Sequence, residues 1–511
     1  MFTNESKRLA DNHIEFSESL LIDLQQNIQR IKELTGNSSD ITVRLIQGGV
    51  ANRFNLAIVY INGLTDTNLI NNNILKPIMS DVEIPSTEKA TASELLGFLK
   101  NRILSVCGIC DIHTTGELLS ALFSGNTIVL VDGCKEGIFV SSSKLEQRGV
   151  EEPSTQTVIR GPKDGFTENL STNITLLRRR IKSPNLWIVD RKIGRVTQTD
   201  VSIMYLKGTA NDKVVEEVLQ RLDKIDTDSI LESGYLEEFI QDQTYTPFPT
   251  MINYERPDSV AGGILEGQVA ILVDGTPFVL LVPVTFFNFF QVSEDYYQRY
   301  DIASFLRIMR YVTFIVSMLL PSMYIAITTF HQEMLPTTLL ISLAAQREGL
   351  PFPALVEALI MEITFEVLRE AGVRMPRSVG PAISIVGALV LGQAAVQAGL
   401  VSAAMVIVVS FTAISNFVAP SYNIAIAARM LRFFLMFLAG TFGLFGIMSG
   451  LFALFIHMSG LRSFGVPYLA PMAPFIPRNL KDVFIRVPWS AMLTRPRLIS
   501  QKNKRRQRNN S

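Results

Sequence analysis

Four carboxylates interrupt an otherwise apolar segment: Glu357, Glu362, Glu366 and Glu370 alternate with Leu355, Leu359, Ile360, Ile363, Phe365 and Val367. At about 100° per residue on a helix, Glu362, Glu366 and Glu370 share an arc of about 80°, whereas Glu357 lies off that stripe. Repeated around a ring of subunits, such a stripe attracts cations and repels anions, and its apolar neighbours form a gate that dewets. Carboxylates within a membrane are unfavourable unless they face water or a partner, so these three residues are the pore-lining candidates. The competing reading is an interfacial or cytoplasmic amphipathic helix with a solvated acidic face.

Other chemistry-bearing residues give weaker signals. Arg160-Gly-Pro-Lys-Asp-Gly165 together with Arg178, Arg179 and Arg180 offers guanidinium groups for an anion or a ligand carboxylate. Arginines on a helix more often form a solvated face or a subunit contact. Cys107 and Cys110 with His113 lack a fourth ligand, so no metal site is expected. The three cysteines suit a reducing compartment and give no disulfide framework. The chain has no Gly-Lys-Ser or Gly-Lys-Thr phosphate loop, no His-Glu-x-x-His and no Gly-x-Ser-x-Gly, so neither catalytic residues, a cofactor nor enzyme action is expected.

The acidic stripe would be positioned by a membrane domain. Residues 378–428 contain no Asp, Glu, Lys or Arg, a run that a helix with a water-facing side does not sustain. Residues 311–330, 379–398, 400–420 and 433–456 read as spans, since about twenty residues at about 1.5 Å each cover a hydrocarbon core of roughly 30 Å. Pro321 falls within the first, where spanning helices tolerate it. Gly387, Gly392, Ala394, Ala395 and Gly399 let neighbouring helices approach closely. Arg374, Arg377, Arg429 and Arg432 stay on the positive side if 353–373 is a further crossing and 464–477 a weak final return, giving six. From Arg478 onward Asp482 is the sole acid among many basic residues, which favours the cytoplasmic side and anionic lipid headgroups over nucleic acid. Residues 1–12 are polar and lack a secretory signal.

The polar part contains an echo. Gly125-Asn-Thr-Ile-Val-Leu-Val-Asp-Gly133 followed by Ile138-Phe-Val recurs as Gly267-Gln-Val-Ala-Ile-Leu-Val-Asp-Gly275 followed by Val279-Leu-Leu-Val. Each reads as a hairpin, with Asp132 and Asp274 shaping the turn rather than doing chemistry. The expected fold is an α+β soluble N-terminal region of two related α/β subdomains followed by an all-α polytopic membrane domain. The boundaries are a variable segment 1–39 with an amphipathic helix over 20–34, subdomains 40–150 and 155–285, an amphipathic junction 286–305, a transmembrane domain 306–477 and a basic cytoplasmic tail 478–511.

A family resemblance rests on Asp274-Gly-Thr-Pro-Phe-Val-Leu-Leu-Val-Pro283, Phe286 to Gln291, Glu294-Asp-Tyr-Tyr297, Arg160-Gly-Pro-Lys-Asp-Gly-Phe166, Arg178-Arg-Arg-Ile181 and Pro351-Phe-Pro353. It extends through Phe365-Glu-Val-Leu-Arg-Glu-Ala-Gly372, Ile385-Val-Gly387 and Ser463-Phe-Gly-Val-Pro-Tyr468. In these stretches the chain resembles A subunits of GerA-type spore germinant receptors. The resemblance implies an integral protein of the spore inner membrane that couples nutrient sensing to germination with B and C subunits. It also implies homo-oligomerisation around an ion-conducting path; the acidic stripe makes monovalent cations the expected ions, and the basic tail makes membrane lipid an expected partner. A paralogue associated with the SpoVA channel for dipicolinic acid shares much of this architecture. The alternatives are a secondary transporter subunit, which usually shows repeats in its membrane part, and a non-conducting scaffold.

Overall fold

The computed structural model describes residues 18–48, 54–79, 92–100, 108–143, 152–153, 156, 158–374, 391–496, 498–500, 503 and 505–507. Cys107 and most of the expected span 379–398 lie outside the described residues. The chain divides into two compact units, the first comprising Met1–Ile240, Asn253–Pro283 and Thr494–Arg506.

The first unit holds two five-stranded sheets. One is built from β1 (Ile41–Gly48), β2 (Phe54–Ile61), β3 (Ile109–Ile112), β4 (Thr127–Val131) and β5 (Gly137–Val140) in the order β1-β2-β4-β5-β3. The other takes β6 (Leu186–Ile193), β7 (Thr199–Leu206), β8 (Ile252–Tyr254), β9 (Val269–Val273) and β10 (Val279–Val282) in the order β6-β7-β9-β10-β8. Counted within each set, the two orders are identical, so the hairpin echo is part of a repeated fold. The echoed hairpins pair antiparallel, Ile128 opposite Phe139 and Ile271 opposite Leu280. Their strands are apolar throughout because both sheet faces are covered. On β2, Ala57, Val59 and Ile61 enter one core cluster while Leu56, Ile58 and Tyr60 enter another, following the period of two.

Each repeat also owns a helix that the hairpin turn caps. The Asp132 carboxylate accepts from the Leu24 N–H at 3.1 Å at the start of α1 (Leu24–Leu34). Asp274 accepts from the Leu170 N–H at 3.1 Å, where α3 (Leu170–Arg180) begins; α2 (Thr115–Phe123) lies between them in sequence. Asn27 brackets Leu21, accepting from its N–H and donating to its carbonyl, just as Asn173 brackets Thr167. The first repeat therefore begins near residue 20, not at 40. Leu24, Ile28 and Ile31 of α1 belong to the same core as Ala57 and Val59, which a separate variable segment would leave open. The helix expected over 20–34 starts at Leu24 because Asp23 caps it.

The tail contributes to the second repeat. Gly125 lies against Ser143 and the Leu64 carbonyl; Gly267 lies in the same way against Ser500 and the Thr209 carbonyl. Ser500 comes from Thr494–Arg506, which is held by a bridge between Thr494 and Arg505 and by Arg495 donating to the Leu265 carbonyl at 2.9 Å. Arg506 pairs with Glu266. These residues are thus part of the first unit and do not form a separate tail. Further helices of this unit are α4 (Asp212–Asp223), α5 (Ser233–Ile240) and α6 (Pro257–Leu265).

The second unit comprises Gln241–Ile252, Val284–Leu493 and Gln507–Ser511. Among the described residues its helices include α7 (Tyr300–Thr329), α8 (Thr337–Arg347), α9 (Ala354–Arg374), α10 (Ala403–Phe417) and α11 (Tyr422–Gly460). Two of them, α7 and α11, are long and apolar enough to cross a membrane. Pro321 sits inside α7 as expected. α11 is not one straight span: Gly443, at φ 61° and ψ −141°, breaks it, a left-handed φ that favours glycine. Beyond it the chain doubles back, so that a Cβ on Gly450 would stand 2.8 Å from Leu435 Cδ2. The single crossing expected over 433–456 is therefore a helical hairpin with arms of about 31 Å and about 25 Å at about 1.5 Å rise per residue.

The weak return expected through 464–477 contains no helix. It begins in the short hairpin between β11 (Arg462–Ser463) and β12 (Val466–Pro467), then turns. Pro467, Pro471, Pro474 and Pro477 remove helical donors every few residues. The second arm of α11 supplies the extra apolar length instead.

Candidate functional site: a buried ladder of carboxylates and arginines

α9 runs antiparallel to the first arm of α11. At one end Leu355 fills the space over Gly440, where a Cβ would stand 2.6 Å from Leu355 Cδ2. Glycine there lets the helices approach closely. Further along α9, the carboxylates of the stripe reach the arginines of the partner helix. Glu362 pairs with Arg432 at 3.0 Å, with the side chains 1% and 2% exposed. Glu366 accepts from Arg429 at 2.8 Å and from Arg432 at 3.3 Å, and lies 3.5 Å from Arg369 on its own helix. Glu370 pairs with Arg374 at 2.6 Å, both exposed. The structure therefore brings two of the three stripe carboxylates into one network and leaves the third at its solvated end.

The ladder holds four arginines against three carboxylates. Glu362, Glu366 and Glu370 face Arg369, Arg374, Arg429 and Arg432, so in this arrangement the stripe is not an acidic surface. A buried pair holds a helix register more surely than it adds stability, because the desolvation of both ions offsets their attraction. Arg369 also lies over the Phe417 ring at 5.2 Å, which ties α10 to the same network.

Glu357, off the stripe, has a different task. Fully buried, it accepts through Oε1 from both the N–H and the hydroxyl of Ser402, each at 2.5 Å. Ser402 caps α10 and itself accepts from the Met405 N–H at 3.1 Å. A carboxylate at a helix N-terminus meets its unpaired donors and the positive end of its dipole.

The arginines considered for anion binding are built into the first unit. Arg178 is buried and grips Asp40 with two bonds of 2.8 and 3.0 Å, its guanidinium 5.1 Å from the Phe123 ring centre. This pair joins the second repeat to the first. Arg180 pairs with Asp164 and donates to the Leu176 carbonyl at 3.1 Å. Arg179 is half-buried on the same helix, and Arg160 is exposed in the loop before Asp164. Cys110 is exposed on β3, and His113 lies 3.5 Å from Glu136. Burial, and then the charge of Glu136, push the Cys134 thiol up. Among the described residues no group of three or more His, Cys, Asp or Glu could hold a metal ion.

Periodicity locates the carboxylates, whereas Arg429 and Arg432 enter the sequence pattern only through the positive-inside rule. Arg429 and Arg432 carry a further signal: two arginines three apart in an apolar helix need acids, and Glu362 and Glu366, four apart, likewise share one helix face.

Comparison with known proteins supplies the lineage. Residues 29–498 match the family described as Bacillus/Clostridium GerA spore germination protein. Spore germination protein KA of Bacillus subtilis (strain 168) is 50% identical over 484 residues, covering 95% of this chain and 88% of that one. The uncharacterized membrane protein YfkQ of the same organism is 44% identical over 497 residues, covering 97% and 94%. The crystal structure of the N-terminal domain of the A subunit of the Bacillus megaterium spore germinant receptor GerK3 is 44% identical, with a TM-score of 0.42, covering 53% of this chain and 98% of that one. This chain belongs to the GerA family of spore germination proteins.

Proposed function

We propose that the chain is the A subunit of a nutrient-responsive germinant receptor. It acts with B and C subunits in the spore inner membrane, its N-terminal unit cytoplasmic, and oligomerises around a path for monovalent cations. The six crossings assigned to it are α7, α9, residues 379–398, α10 and the two arms of α11. The observation that carries the reading is the ladder between α9 and α11, where charge is retained inside an apolar helical unit. With Arg429 and Arg432 engaged, Glu362 and Glu366 are neutralised and the path is closed. Separation of α11 from α9 frees the carboxylates to draw cations.

Planar-bilayer recording of the reconstituted complex tests this. With B and C subunits and nutrient present, a monovalent cation current is expected, and Glu362→Gln with Glu366→Gln reduces its cation selectivity. An unchanged cation preference removes both residues from the path. If no current flows under any nutrient, a transporter subunit or a scaffold becomes the better reading.

A further inference from the structure

At the start of α7 an apolar face is left uncovered. Ile302, Phe305, Met309 and Val312 recur at three- and four-residue spacing and are 40–64% exposed. On the opposite side Ala303, Arg307 and Phe314 are buried. Ile302, Phe305 and Met309 precede the apolar stretch expected to cross the hydrocarbon, 311–330, by about 14, 9 and 3 Å at about 1.5 Å per residue, and Val312 lies at its edge. A helix that continues apolar on one side beyond the hydrocarbon is suited to the headgroup layer.

A strap of chain packs on the other side of these turns, against Ser304, Arg307 and Tyr311. Arg307 donates to the carbonyl and side chain of Asp482 at 2.7 and 2.8 Å, and Tyr296 donates to the same carboxylate at 2.7 Å. Ser304 donates to the Arg486 carbonyl and accepts from its N–H, both at 3.1 Å. Tyr311 donates to the Val483 carbonyl at 3.3 Å, and the Trp489 indole donates to the Tyr296 carbonyl at 3.4 Å. The strap therefore runs antiparallel to the first turns of α7. It turns Asp482 inward and leaves Ile485 (54%) and Trp489 (48%) outward. Asp295 is likewise consumed inside, by Arg307 and Arg310. Arg478 and Lys481 remain exposed. The outward surface thus combines aliphatic and aromatic groups with cations, while Asp295 and Asp482 are held within and the exposed Asp301 is paired with Arg299 at 3.0 Å.

We infer that this face of α7 and the strap over 478–489 form an interfacial anchor that sits in a layer of anionic lipid headgroups. The inference rests on the reading that α7 enters a bilayer. Charge complementarity selects the occupant: Arg478 and Lys481 suit phosphate-bearing headgroups, and an indole with one polar edge suits the boundary between water and acyl chains. The anchor also refines the expectation that the basic tail as a whole meets lipid, because Arg495 and Arg506 are engaged within the first unit.

Trp489 is one of two tryptophans, so it can report on its own surroundings. The full chain is placed in nanodiscs of phosphatidylcholine with or without phosphatidylglycerol, and its emission is quenched by lipids brominated near the glycerol or near the chain end. Trp489→Phe isolates the Trp489 component by difference, leaving the Trp187 background. Shallow bromines are expected to remove most of the Trp489 emission and deep ones little of it. Arg478→Gln with Lys481→Gln abolishes the gain in quenching that phosphatidylglycerol brings. Iodide quenching of Trp489 that is the same in detergent and in nanodiscs, with no bromolipid effect, overturns the anchor. Shielding from iodide that follows self-association and ignores lipid overturns it in favour of an interface between copies. Neither readout needs nutrient or the B and C subunits, so failure of the anchor is separable from failure of the receptor reading.

Discussion

Removing Arg432 is the most direct perturbation of the ladder. At 3.0 Å the gross attraction between Arg432 and Glu362 is about 5–6 kcal/mol at an effective dielectric of about 20. Much of that is cancelled by taking both groups from water, so the pair is worth far less net. Arg432→Met, however, strands Glu362 in a site where it is 1% exposed. The cost expected for such a stranded partner is about 3–5 kcal/mol. Glu366 is less affected, since Arg429 still donates to it at 2.8 Å. Removing both charges with Glu362→Leu and Arg432→Met should return stability to within about 1 kcal/mol of the parent, a coupling of about 3 kcal/mol. Unfolding in mixed micelles, followed by circular dichroism across the parent, both single variants and the double variant, measures the coupling. Single costs that simply add in the double variant would falsify the ladder as a coupled unit.

Two further outcomes concern the first unit. Gly36 ends the turn after α1 at φ +66°, with its Cβ position inside the van der Waals envelope of the Trp187 ring, so Gly36→Ala should cost more than the about 1–2 kcal/mol of left-handed strain alone. Trp187→Ala in the same background should recover the packing part, as read from denaturant midpoints. Glu237 offers a pH test, because burial, and secondarily the charge of Glu232, push its carboxyl up to about 7. The folded state then holds a proton that the unfolded chain releases near pH 4.5, so stability is full below that pH and falls as pH rises through 7. The fall should be on the order of 3 kcal/mol, and Glu237→Gln should remove it in urea titrations at pH 5 and pH 8.

The hairpin echo around Asp132 and Asp274 was legible because strands buried on both faces write themselves as apolar runs closed by a turn dipeptide. The other shared parts were not legible. The helices capped by the two aspartates have different apolar patterns, and what makes them equivalent is backbone bonding to Asn27 and Asn173. The match between Ser143 and Ser500 depends on a contact between residues far apart in sequence. In the helical unit, period and hydropathy found the acidic stripe and most of the apolar length. Hydropathy does not register the backbone, so the reversal at Gly443 and the prolines after Gly465 passed as one span and a weak return.

The stitching of Ser500 into the second repeat has a topological consequence. The chain leaves the first unit at Pro283, and Thr494 is already back within it. A folded unit cannot be shared across a bilayer, so both points lie on one side of it. Whatever crosses between Val284 and Leu493 must therefore do so an even number of times. Replacing the residues that pin the segment, such as Arg495 and Arg506, would not alter that parity once the protein is inserted. It would reveal whether the strand of chain returning from the membrane is what keeps the second repeat closed.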